Sequence, residues 1–88
     1  MLRITTIQDD GTQRVLKLEG KLLAEWVGEL KDACRTAVAE GCRVQLDLGG
    51  LSFVDVAGTT ALRCLLRQGV SITATSPFVG ELLKENHA

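Results

Sequence analysis

Three short runs of this chain place an apolar residue at every second position and a polar one between. Leu16 and Leu18 alternate with Lys17 and Glu19, and Val44, Leu46 and Leu48 with Gln45 and Asp47; Val70, Ile72 and Ala74 alternate with Ser71, Thr73 and Thr75. Successive side chains of a β-strand point to opposite faces, so each run describes a strand with one buried and one solvated side. Strands covered by helices on both sides read as continuous apolar runs instead. The pattern therefore predicts a sheet whose helices all pack on one face, leaving the other largely polar.

The segments between these runs supply the rest of the architecture. Leu2–Ile7 also alternates, and Asp9-Asp10-Gly11 carries turn chemistry, so with Arg14–Glu19 it predicts an antiparallel hairpin ending at Gly20. Leu22, Leu23, Trp26, Val27, Leu30, Ala33, Cys34, Ala37 and Val38 recur at three- and four-residue steps, the stripe of an amphipathic helix stopped by Gly41. Trp26 lies within that stripe and reads as a core anchor. Arg43–Leu48 forms the third strand, and Gly49-Gly50 and a short apolar stretch, Leu51–Val54, lead from it to Asp55. Thr59–Gln68 reads as a second helix with Ala61, Leu62, Leu65 and Leu66 inward and Arg63 and Arg67 outward. Val70–Thr75 is the fourth strand, and Ser76-Pro77 opens a last helix with Phe78, Val79, Leu82 and Leu83 on its apolar side. The expected fold is α/β in the order ββαβαβα, strands two to four parallel through right-handed crossovers. No repeat or linker interrupts it, and residues 1–88 read as a single domain.

Composition narrows the function classes. Ten Lys+Arg against eleven Asp+Glu give a net charge of −1, without the basic surplus of a nucleic-acid binder. One Trp, two Phe and no Tyr leave little with which to stack bases. No apolar run approaches the roughly 18 residues of a membrane span, and Met1–Thr5 lacks the layout of a signal peptide, so a cytoplasmic protein without direct membrane insertion is expected. Cys34, Cys42 and Cys64 are scattered and read as reduced thiols. The sole histidine, His87, reads as a solvated tail residue, and no ligand spacing suggests a metal or a cofactor.

In open α/β sheets, function sits beyond the carboxyl ends of the parallel strands. Here that is the loop holding Asp55, Gly58, Thr59 and Thr60 at the start of the second helix. A helix N-terminus favours an anion, including a phosphate on a nearby hydroxyl. The plainer alternative is that Asp55 or a threonine caps the helix while Gly58 allows close packing. Asp47, Asp55 and Glu81 are the carboxylates nearest this edge, but no His, Lys or nucleophilic Cys joins them in a catalytic constellation. Gly49-Gly50 lacks the Lys and the following helix of a phosphate-binding loop. No catalytic residue is assigned, and a non-enzymatic protein is expected.

The stretch Val44–Leu62, with Asp47-Leu48 closing a strand and Asp55-Val56-Ala57-Gly58-Thr59-Thr60 opening a helix, resembles the signature of STAS domains, the fold of anti-sigma factor antagonists and sulfate-transporter tails. The resemblance extends to the N-terminal hairpin, to Gly20 before the first helix and to Ser76-Pro77 after the fourth strand. It implies a four-stranded mixed sheet and a regulatory protein-interaction domain, docking on an anti-sigma factor or kinase partner through Asp55–Thr60 and the following helix, on which the outward-facing Arg63 and Arg67 read either as contacts or as a solvated helix face. In antagonist members a serine immediately before the motif glycine is phosphorylated. Val56 and Ala57 stand where the family's two serines do, so the usual switch is absent. Thr59 and Thr60 offer hydroxyls downstream, but two residues turn a side chain about 200° around a helix. A second system within the resemblance is the small cytoplasmic STAS subunit of a bacterial phospholipid-transport ABC complex, docked on its ATPase, where a threonine near the motif matters. The chain also stops where many members continue with a further strand or helix.

Overall fold

The aspartates after the first strand shape the first turn. Asp10 Oδ1 accepts the N–H groups of Thr12 and Gln13 at 2.9 and 2.8 Å, and Asp9 Oδ1 accepts that of Gly11 at 3.1 Å. This turn joins β1 (Leu2–Asp9) to β2 (Gln13–Leu22) in an antiparallel pair. The computed structural model describes residues 1–84, so His87 lies outside the described residues. Next come α1 (Ala24–Ala39), β3 (Arg43–Val54), α2 (Val56–Arg67), β4 (Ser71–Thr75) and α3 (Pro77–Lys84). The element order and the mixed sheet are those expected. Strand order is β1-β2-β3-β4, with β2, β3 and β4 parallel. Both crossovers step the same way across the sheet, so a common hand sets α1 and α2 on the same face.

Alternation decides what that face buries. Leu16 and Leu18 of β2 and Val44, Leu46 and Leu48 of β3 are buried, together with Leu30, Cys34 and Ala37 of α1, Leu62 and Leu65 of α2 and Val79 of α3. Lys17, Glu19, Gln45 and Asp47 occupy the opposite, half-covered face. Each fully buried leucine contributes about 1.5–3 kcal/mol relative to an exposed one. Gly41, at φ +84°, ends α1 in a conformation that side chains with a Cβ rarely adopt.

The boundaries depart from expectation where tertiary pairing overrides local pattern. Leu22 and Leu23 do not belong to the first helix. Leu22 ends β2 opposite Val54, Leu23 is the N-cap of α1, and the helix starts at Ala24. Leu51–Val54 is not a loop but the last part of β3. Irregular pairing between Lys17 and Glu19, and again between Gly20 and Lys21, lets β3 absorb an extra residue each time, so Gly20 pairs with Leu51 and Leu22 with Val54. The second helix begins at Val56, three residues earlier than its apolar periodicity indicates, because Asp55 caps it. Val38 is 61% exposed although Ala37 beside it is fully buried, and Leu66 and Ala74 are also exposed.

The two edges of the sheet differ. β1 carries Arg3 and Asp9 and an irregularity between Thr6 and Gln8, whereas β4 is five residues without a charge.

Candidate functional site

The paired ends of β2 and β3 bring the starts of α1 and α2 together. The Asp55 N–H donates to the Leu22 carbonyl at 3.1 Å, continuing the strand pairing by one bond. The Asp55 backbone is extended, and its carboxylate turns toward both helices. Oδ1 accepts the Gly58 N–H at 2.7 Å, and Oδ2 accepts the Ala24 N–H, the first of α1, at 2.9 Å. Leu23, the N-cap of α1, brings no side-chain acceptor of its own. One anion therefore sits at the positive ends of two helix dipoles and satisfies an otherwise orphaned donor in each. Of the two readings open to the sequence, capping is the one this geometry performs.

Gly58 has no room for a side chain. A Cβ there would lie 2.6 Å from the Leu22 carbonyl oxygen and 2.9 Å from Leu22 Cγ and Val54 Cγ1. The first turn of α2 thus packs directly on the ends of β2 and β3. Thr59 is only 8% exposed, and its hydroxyl donates to the Asp55 carbonyl at 2.9 Å. The Thr60 hydroxyl donates to the Val56 carbonyl at 3.0 Å on the exposed side. The two threonines are therefore inequivalent, and only Thr60 is presented to solvent.

Val56 and Ala57 also face outward, and Val56 is 84% exposed, an apolar side chain held in water by the turn that Asp55 fixes. A shallow cleft of about 280 Å³ runs beside it, bounded by Asp55, Thr59, Thr60, Arg63 and Leu82. Arg63 is not the freely solvated side chain its helical position indicates: it is half-buried, and its Nε is buried without a hydrogen-bond partner. Arg67, one turn on, is exposed and does not line the cleft. α2 itself contains no acidic residue, and Asp55 is the one carboxylate that shares the cleft lining with Arg63 among the described residues.

Sequence reasoning missed two features here. Phe53 and Phe78 stack with ring centroids 6.5 Å apart, both substantially exposed, tying the end of β3 to the start of α3. The second role of Asp55 also escaped it. Of the other carboxylates, Asp47 accepts the Gly49 N–H at 3.0 Å and Glu81 is exposed. Among the described residues, no group of three or more His, Cys, Asp or Glu side chains could hold a metal. No described helix is long and apolar enough to cross a membrane.

A four-stranded mixed sheet with three helices, and an Asp-capped helix start beyond its parallel strands, define an α/β fold of known type. The chain belongs to the STAS domain family: the family model described as Mlab, STAS domain, matches residues 5–85. Solved structures agree on the fold. The anti-sigma factor antagonist SpoIIAA in its unphosphorylated form aligns with a TM-score of 0.73 at 18% identity, covering 93% of this chain and 82% of its own. An antisigma-factor antagonist STAS domain from Rhodobacter sphaeroides gives 0.62 at 22%, covering 84% and 85%. A Shewanella loihica protein with a SpoIIAA-like fold gives 0.58 at 19%, covering 88% and 69%. No curated protein matches the sequence significantly.

Proposed function

We propose that this chain is a non-enzymatic docking module that holds a protein partner through Asp55–Thr60 and the outward side of α2, without a serine phosphorylation switch. The observation that carries this reading is Val56. It projects 84% exposed from a turn fixed on both sides by the Asp55 cap and by the close packing of Gly58. Exposed apolar groups on rigid turns are the raw material of binding hot spots. Thr60, Arg63 and Arg67 extend the surface along the helix. The similarity to anti-sigma factor antagonists supports an anti-sigma factor or a related regulator as the partner. Bacterial origin and a cytoplasmic setting go with that reading.

The side chains at positions 56 and 57 favour a second partner class. With no hydroxyl on either, docking is constitutive, which suits a permanent subunit of a larger assembly. The STAS subunit of a phospholipid-transport ABC complex, seated on its ATPase, is such a case.

Affinity capture from the native host with wild-type protein and with Val56→Asp tests the surface and separates the two partners. Recovery of a regulator or kinase supports the first class, and recovery of a transporter ATPase supports the second. Equal recovery by Val56→Asp overturns the assigned surface. Intact mass of the recovered chain reports modification; the geometry allows a phosphate on Thr60 and opposes one on the buried Thr59 hydroxyl.

A further inference from the structure

A second, larger cleft lies at the other end of the two crossover helices, between the C-terminal halves of α1 and α2. Its volume is about 460 Å³, within the range of small-molecule sites. Val38, Leu65 and Val70 give it an apolar lining, to which Cys34 and Cys64 add two thiols. Burial pushes the Cys34 thiol up to about 11, so it remains protonated and behaves as a small apolar group. Lys31, Arg35 and Gln68 complete the lining, which includes no carboxylate among the described residues. Arg35 does reach Asp32 at 3.2 Å, but both side chains are about three-quarters exposed, and such a pair yields readily to a competing anion.

This arrangement specifies its ligand chemically. An apolar wall suits a hydrocarbon, and Lys31 together with Arg35, whose pairing with Asp32 is exposed and exchangeable, suits one anionic head group. No aromatic side chain lines the cleft to stack on a base or a ring, which disfavours a nucleotide. The position of Val38 follows as well: a residue left 61% exposed by the fold becomes the outer wall of a binding groove.

We propose that the cleft between α1 and α2 binds a free, medium-length straight-chain carboxylate, its alkyl chain against Val38, Leu65 and Val70 and its head group at Lys31 and Arg35. The site is separate from the surface around Asp55 and does not depend on the docking function.

Cys64, half-exposed in the lining, is a built-in reporter. Its alkylation by N-ethylmaleimide, followed by mass spectrometry, should slow about tenfold with sodium decanoate at ten times its Kd and below micelle formation. Lengthening the chain from octanoate should tighten binding about fourfold per methylene until the cleft is full. Decanol should protect far less, and Lys31→Glu with Arg35→Glu should abolish protection by decanoate while leaving the circular dichroism spectrum unchanged. Amide shifts in the NMR spectrum should cluster at Cys34, Cys64 and Gln68. The proposal is overturned by unslowed labelling, by equal protection from decanol, by protection that survives the double charge reversal, or by faster labelling of all three cysteines, which would signal unfolding by a detergent.

Discussion

Asp55 Oδ2 accepts a hydrogen bond from the Ala24 N–H at 2.9 Å, across 31 residues of sequence. With its other oxygen on Gly58, the same carboxylate closes two of the three helices that start at this end of the sheet. Caps of this kind are worth about 1 kcal/mol each. Asp55→Ala should therefore cost about 2 kcal/mol in urea denaturation. Asp55→Asn, which keeps only one acceptor oxygen, should cost about half as much. Equal losses for the two variants would show that only one of the bonds matters.

Two glycines in helices should respond oppositely to alanine. At Gly58 the added methyl meets the Leu22 carbonyl and the Leu22 and Val54 side chains, so strain outweighs the better helix propensity, for a net loss of about 1–2 kcal/mol. At Gly28, in α1, nothing lies within 4 Å, and the change should stabilise by up to about 1 kcal/mol. Thermal melts of the two variants against wild type give the comparison. A stabilised Gly58→Ala would contradict the close approach described above.

Arg63 should separate stability from binding. Its buried Nε lacks an acceptor, whereas its aliphatic stem covers the cleft beside Leu82. Arg63→Met keeps the stem and removes the orphaned donor, so stability should hold or rise by up to about 1 kcal/mol. Capture of the partner should weaken. A large loss of stability would instead assign the guanidinium a structural role.

Much of this was legible because the sheet repeats with a period of two. Leu46 and Leu48 could only face the helices once Gln45 and Asp47 faced away, and the element order followed from the turns between. The helix and strand ends were less accessible. Leu22 satisfies a helical stripe and a strand pair equally well, and only its partner Val54 decides between them. The site was half visible: Asp55 and Gly58 were marked by type and position. Ala24 carries no polar side chain to announce that its N–H is capped from a distant turn. Arg63 was misjudged for a related reason, since its helical position says outward and α3, which packs over that flank through Leu82, is known only from the fold.

Acid should release the first turn only below the ordinary aspartate range. The Thr12 and Gln13 N–H groups hold the Asp10 carboxyl below its ordinary value of 3.8. A depressed folded pKa means the contribution is complete above the unfolded value and is lost as pH falls through the lower, folded one. The amide shifts of Thr12 and Gln13 should titrate with a midpoint below 3.8, and Asp10→Asn should remove that titration. A midpoint at or above 3.8 would show that the turn does not hold the carboxylate.

The uncharged β4 edge makes the sheet one-sided as a template for growth. Strand addition is resisted at β1 by charge and irregular pairing, whereas β4 offers open backbone groups with no lysine or proline to repel a newcomer. At high concentration, self-association should begin there and, with β1 closed to addition, stop at a dimer paired through two β4 edges. Thr73→Lys, placing a charge at the centre of the strand, should suppress it in sedimentation velocity. Identical profiles for the two proteins would close that route, and the same lysine would then serve as a harmless surface mark.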